Sequence, residues 1–220
     1  MDNMNVVFRG VAIVVVLLAV LIILIYLLKT IRSEINAKKI LQHGRKNEDF
    51  IYNLLRTRYG SGKLIRNAYY KLNSGHTTEI DMIIINKNGI QVLEIKSMKG
   101  FIENPFKGDW CQMYNNKVLM FQNPFDQNVT HIRAIKQIFQ KESISNVPIR
   151  NIVVFTEPSV KFKFKEEMLL TSNKLLPFLD ELNRNKFLKG TEIRRISKTL
   201  QKYQLKGRHV QRDHINNLKQ

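Results

Sequence analysis

Asp81, Glu94 and Lys96 stand on two arms of a stretch that otherwise looks built for a buried sheet. Residues 79–96 begin Glu79-Ile80-Asp81-Met82-Ile83-Ile84-Ile85 and turn at Asn86-Lys87-Asn88-Gly89. They end Ile90-Gln91-Val92-Leu93-Glu94-Ile95-Lys96. β-branched residues fill both arms, and the turn residues tolerate positive φ, so the stretch reads as two strands joined by a tight turn. Side chains alternate faces along a strand. Glu79, Asp81, Ile83 and Ile85 then share one face of the first arm; Val92, Glu94 and Lys96 share one face of the second. Two acids and a lysine therefore converge among apolar strands. Ionised groups there are costly unless they pair or hold a metal.

The chemistry open to such a set is phosphoryl chemistry. Mg²⁺ is commonly held by one or two carboxylates together with substrate phosphate. Asp81 and Glu94 supply two carboxylates, and the Ile95 carbonyl could add an oxygen. Lys96, two residues after Glu94 and on the same face, could orient or deprotonate an attacking water and offset charge in the transition state. Glu48 precedes this set on an amphipathic helix. It is open to two readings, a carboxylate facing the core or a first-turn acid that favours a helix N-terminus. A buried ion pair of Lys96 with Asp81 or Glu94 is the bland alternative, and it leaves one acid unexplained.

The elements that must position these groups follow from patterning. Residues 44–59 place Phe50, Ile51, Leu54 and Leu55 at helical spacing, ended by Gly60-Ser61-Gly62. Residues 63–72 read as a first strand, and 97–103 as a bend with an edge strand. Asn115-Asn116 is the turn of a further hairpin, with Trp110 as a packing anchor. Asn123-Pro124 opens a helix running to Lys141, and 151–155 is a short buried strand. A helix is expected over 173–185, with Pro177 in its first turn. Ile193, Ile196, Leu200 and Tyr203 give the basic tail a helical apolar stripe that could dock on the domain.

Val11 to Leu28 is an unbroken apolar run of the length a spanning helix needs. No small-residue cleavage site follows it, so a membrane anchor is expected rather than a removed signal. Arg9 alone precedes the run, and Lys29, Arg32, Lys38, Lys39, Arg45 and Lys46 follow it. The positive-inside rule puts the short N-terminus outside and the C-terminal part in the cytoplasm, a single-pass protein of the cell membrane. The expected organisation is an outer N-terminus (1–10), a transmembrane helix (11–28), a basic juxtamembrane linker (29–43), a catalytic-type domain (44–160) and a basic helical extension (161–220).

The 220-residue chain carries a formal net charge of +18. That excess implies an anionic partner: nucleic acid, anionic lipid headgroups of the bilayer, or both. Arg194, Arg195, Lys198 and Lys202 are the candidate nucleic-acid contacts, with Arg208 and Arg212 beyond them. One cysteine, Cys111, rules out an intramolecular disulfide and a zinc–thiolate cluster.

The ordered set Asn47-Glu48, Thr78-Glu79-Ile80-Asp81, Gly89-Ile90, Glu94-Ile95-Lys96, Gly100, Trp110 and Asn123-Pro124-x-x-Gln127-Asn128 resembles the nuclease-related (NERD) domain, within the PD-(D/E)xK phosphodiesterase superfamily. The resemblance covers about residues 44–157. It implies an α/β (α+β) fold, a mixed central sheet flanked by helices and restriction-endonuclease-like, here preceded by the single transmembrane helix. It implies Mg²⁺- or Mn²⁺-dependent hydrolysis of nucleic acid, DNA more readily than RNA, with no small-molecule cofactor. Asp81 and Glu94 would be metal ligands, Lys96 the catalytic lysine, Glu48 an auxiliary carboxylate and Gln127 a polar group near the site. Two departures stand out: lysine and asparagine precede Glu48 where relatives often have glycine, and Ser97 follows the lysine where many have asparagine. A catalytically silent module holding nucleic acid at the membrane is the alternative.

Overall fold

The computed structural model describes residues 2–104, 108–207 and 210, without the side chains of 2–17, 19, 37, 38, 40, 41 and 61. Two compact units divide the chain, Met1–Arg45 and Lys46–Gln220. In the first, the backbone is helical throughout its described length. Helix α1 runs Asp2–Tyr59, so residues 29–43 are helical and no helix begins near Glu48. The first-turn reading of Glu48 therefore falls. Within the expected transmembrane run, the side chains of residues 11–17 and 19 lie outside those described. Among the described residues, no helix is long and apolar enough to cross a membrane.

The second unit is built on a five-stranded sheet ordered β1-β2-β3-β7-β9. Its strands are β1 (Leu64–Lys71), β2 (Thr77–Asn86), β3 (Gly89–Lys96), β7 (Ile149–Phe155) and β9 (Leu169–Thr171). The first three run antiparallel, whereas β7 pairs parallel to β3 and β9 parallel to β7. The parallel step needs a crossover, and helix α2 (Pro124–Lys141) lies within it. The sheet is thus mixed, as expected.

Alternation sorts the hydrophobic residues onto two faces. Ile83, Ile85 and Val92 pack with Ala134, Ile135 and Ile138 of α2 and with Ile193, Ile196 and Leu200 of α4 (Gly190–Tyr203). Met82, Ile84 and Leu93 pack with Ile51 and Leu55 of α1 and with Leu175 and Leu179 of α3 (Ser172–Leu182). Helices thus cover both faces. The apolar stripe of the basic tail is a core-docking stripe. Arg208 and Arg212 lie outside the described residues.

A smaller sheet, ordered β6-β5-β4-β8, comprises β4 (Phe101–Glu103), β5 (Asp109–Tyr114), β6 (Lys117–Gln122) and β8 (Lys161–Phe162). β4 was expected at an edge, but it pairs on both sides because β8 adds to it in parallel. Asn115 and Asn116, at φ 50° and 57°, form the expected hairpin turn. Trp110 is 1% exposed and meets Phe121, Phe125 and Phe164 edge-on. Pro177 falls inside α3 rather than in its first turn. The helix starts at Ser172, so the proline forfeits one intrahelical bond there.

Candidate active site

The β2–β3 ladder runs from Asn86↔Gly89 at the turn to Met82↔Leu93, and Asp81 and Glu94 come next in that register. There the side chain takes over from the backbone: the Ile95 amide donates to Asp81 Oδ2 at 2.8 Å. This bond fixes the Asp81 carboxylate beside the end of β3. Glu94 is 5% exposed. Its Oε1 lies 2.7 Å from Lys96 Nζ, and its Oε2 lies 3.2 Å from His131 Nε2. Lys96 Nζ also donates to Gln127 Oε1 at 2.7 Å. The two acids, the lysine and the glutamine that the sequence singled out are therefore brought together.

Helix α2 delivers the polar side of the site. Asn123 caps its first turn by accepting from the Phe125 amide at 2.9 Å. Asn128, fully buried, donates to the carbonyls of Val92 and Ile152 at 2.9 and 3.1 Å and so pins the helix across β3 and β7. Gln127 and His131, four residues apart, then share the helix face over the carboxylates. His131 Nδ1 is 2.6 Å from Thr78 Oγ1. The imidazole thus bridges Thr78 and Glu94 through its two ring nitrogens. Sequence reasoning missed His131. The signal was present in Gln127-x-x-x-His131, which sets a second polar group one turn further along an apolar helix.

The electrostatics are unequal. Burial raises the Asp81 carboxyl well above the usual carboxylate range. The Glu94 charge pushes the same way, and Glu48 adds to it, against the Ile95 amide and Lys96. Burial also works against the Glu94 charge. The hydrogen bond from His131 and the nearby Lys96 outweigh it and hold Glu94 below its ordinary value. One acid is thus well compensated, and the other lacks enough positive charge.

Glu48 comes from α1, which packs on the other sheet face, and does not line the cleft. Its Oε2 accepts from Asn67 Nδ2 at 3.0 Å. Asn67 was also missed. It falls opposite Asp81 in the β1–β2 register, takes a left-handed φ of 47°, and buries an Oδ1 with no hydrogen-bond partner. A left-handed asparagine with a buried, unpartnered oxygen thus stands beside Asp81. A cleft of about 320 Å³ opens here, lined by Thr78, Asp81, Glu94, Gln122, Gln127 and His131 among others.

The description "nuclease-related domain" matches residues 43–156, just over half of the chain. The chain belongs to the nuclease-related domain family. An uncharacterized protein of Bacillus anthracis is 27% identical over 207 residues, covering 88% of this chain and 92% of that relative. No solved structure gives a significant match. Membership sets the function as nuclease-like or nucleic-acid-related. The nuclease-related domain contains every group of the cleft and ends before α4.

The basic residues of α4 divide by what they meet. Arg195 donates to the Glu142 carbonyl at 2.8 Å, and Lys202 to the Glu142 carboxylate at 2.7 Å. Arg194 and Lys198 line a separate hollow. None of the four lines the cleft.

The donor set fits a hard cation in kind. Two carboxylates share too little positive charge, and Asn67 holds a spare buried oxygen. Among the described residues, however, no three of His, Cys, Asp and Glu are grouped to hold a metal. Two protein carboxylates with water and phosphate completing the shell is the ordinary pattern for Mg²⁺.

Proposed function

We propose that the protein is a divalent-metal-dependent phosphodiesterase that cuts nucleic acid, with DNA as the first substrate to test. The observation that carries this reading is that Asp81 and Glu94 line one cleft, with Lys96 held against Glu94 and Gln127 beside it and one carboxylate left short of positive charge. Asp81 and Glu94 would hold Mg²⁺ or Mn²⁺, with the Ile95 carbonyl and Asn67 Oδ1 as further oxygens. Such an ion, when bound, supplies positive charge against the phosphodiester oxygens. Lys96 stands ready to bind a phosphate oxygen or orient a water. Gln127 holds the Lys96 ammonium in place, and His131 with Thr78 holds Glu94. Glu48 acts at one remove, through Asn67.

Residues 11–28 are proposed as a membrane anchor, with the N-terminus outside and the domain in the cytoplasm. Supporting this, every large apolar side chain from Val20 to Leu28 is 45–71% exposed, so the helix has no polar face there. The flanking cations set the orientation, and the basic segment after the anchor suits anionic headgroups. Protease protection in sealed vesicles tests it: cleavage of the domain from the extracytoplasmic side would reverse the topology.

The test of activity uses the full chain with labelled plasmid, linear duplex and single strands. Mg²⁺, Mn²⁺ and chelator are compared, beside Asp81→Asn and Lys96→Ala. Metal-dependent cutting lost in both variants supports the reading. A second reading, a silent nucleic-acid-binding module, draws on Glu94 already being paired through both oxygens. Folded protein that binds these substrates without cutting them under any metal would establish that module instead.

A further inference from the structure

A second hollow is larger than the cleft. It measures about 650 Å³ and sits at the turn end of the β2–β3 hairpin. Asn86, on its wall, is five residues along β2 from Asp81, about 17 Å. Four elements enclose it: the end of α1 with the turn after it, the β2–β3 turn, the end of α3, and α4. They are stitched together by polar bonds that serve nothing in the cleft. Lys87 O accepts from the Phe187 and Leu188 amides at 2.8 and 2.9 Å. Asn88, fully buried, donates to the Leu182 and Asn185 carbonyls at 2.6 and 3.2 Å. Asn183 donates to the Tyr59 hydroxyl at 2.9 Å, and Ser197 to the Gly62 carbonyl at 3.0 Å. The hollow is therefore a preformed wall, not a gap between loose segments.

Its chemistry is one-sided. Lys63, Lys87, Arg194 and Lys198 line it, and no carboxylate does. None of the four is in an ion pair among the described residues, in contrast to Lys202, one turn beyond Lys198 on α4, which pairs with Glu142. Helix α4 begins at the wall, at Gly190, so its positive end adds to the field. Tyr59 also lines it, as does the edge of Ile193, most of which is buried in the core, and the wall exposes more apolar than polar surface. Unpaired like charges around a concavity attract an anion. A nucleic-acid strand would call for a track of cations. Here they ring a hollow of small-ligand size with apolar walls.

The geometry points to a binding site for a nucleoside di- or triphosphate, its phosphates on Lys63, Lys87, Arg194 and Lys198 and its rings against Tyr59 and Ile193. The Arg194 guanidinium is suited to a two-pronged grip on phosphate. The site stands independently of whether the cleft cuts.

Isothermal titration of the full chain in chelator, which silences the cleft, tests this. The probes are ATP, GTP, CTP and UTP, with tripolyphosphate and a single-stranded oligonucleotide in parallel. At least one nucleotide is expected to bind tenfold or more tighter than tripolyphosphate. Arg194→Gln with Lys198→Gln should weaken it at least tenfold, whereas Arg195→Gln with Lys202→Gln should leave it unchanged. Both pairs are exposed, and melting curves verify that the variants fold. Three results would overturn the site: no nucleotide binding at millimolar concentration, tripolyphosphate binding as tightly as every nucleotide, or the two pairs weakening binding equally. Loss of oligonucleotide affinity in the first pair, without nucleotide binding, would assign the hollow to a strand instead.

Discussion

Asp81→Asn should make the metal-free protein more stable while abolishing cleavage. Burial and the Glu94 charge raise the Asp81 carboxyl well above its ordinary range. Keeping a carboxyl neutral at pH 7 costs about 1.4 kcal/mol for each pH unit above an ordinary value of about 3.9, which sets a ceiling of about 4 kcal/mol. Asp81 keeps part of its surface open to the cleft. Solvent takes up some of that cost, so the expected gain is about 1–3 kcal/mol. Asparagine retains an oxygen for the Ile95 amide, so the 2.8 Å hydrogen bond survives. The sign fixes the pH profile. An acid raised in the folded state costs nothing below its unfolded value. Its penalty grows as pH rises through that value and levels off above its folded value. Variant and wild type should therefore melt together near pH 3, diverge above pH 4, and reach their full difference once the folded value is passed. Chelator-treated full chain is unfolded in urea across this range, then again with Mg²⁺. Mg²⁺ at a hundredfold its dissociation constant would stabilise wild type by about 2.7 kcal/mol, and the variant should lose most of that. A variant no more stable than wild type at pH 7, or a gain independent of pH, would refute the account of Asp81 as the undercompensated acid.

His131→Ala should leave Glu94 less firmly held and weaken apparent Mn²⁺ affinity roughly 10–100-fold; titration followed by melting temperature reads this, and unchanged affinity would make His131 a packing residue only. Gly89→Ala should destabilise by about 2–4 kcal/mol in urea, because Gly89 has φ 116° and a Cβ there would stand 2.3 Å from the Pro148 carbonyl oxygen. That oxygen accepts from the Ile90 amide, so it cannot move without breaking the bond. Trp110→Ala should cost about 3–5 kcal/mol by opening a cavity among Phe121, Phe125 and Phe164; a loss under 1 kcal/mol would show that the small sheet collapses around the gap.

Sequence alone determined what is local and periodic. Alternation of period two set Asp81, Glu94 and Lys96 on strands, and the Asn-Lys-Asn-Gly turn brought those strands side by side. The Asn123-Pro124 start signal located α2, and the spacing of Ile193, Ile196 and Leu200 located α4 and its buried stripe. These features depend on contacts a few residues apart, so they are visible in the chain itself. Tertiary structure decided everything that needs a partner far away in sequence. Asn67 is an ordinary strand residue until the β1–β2 register sets it across from Asp81. His131 becomes a support for Glu94 only because Asn128 pins α2 across β3 and β7. The four cations of α4 look alike in sequence. The helix's angular period sends Arg195 and Lys202 to Glu142 and leaves Arg194 and Lys198 facing a hollow. Pro177 was misplaced, and the first-turn reading of Glu48 fell, for a related reason. Where a helix begins depends on what its neighbours bury as much as on its own first residues, and α1 has no start signal at Glu48 because it continues from upstream.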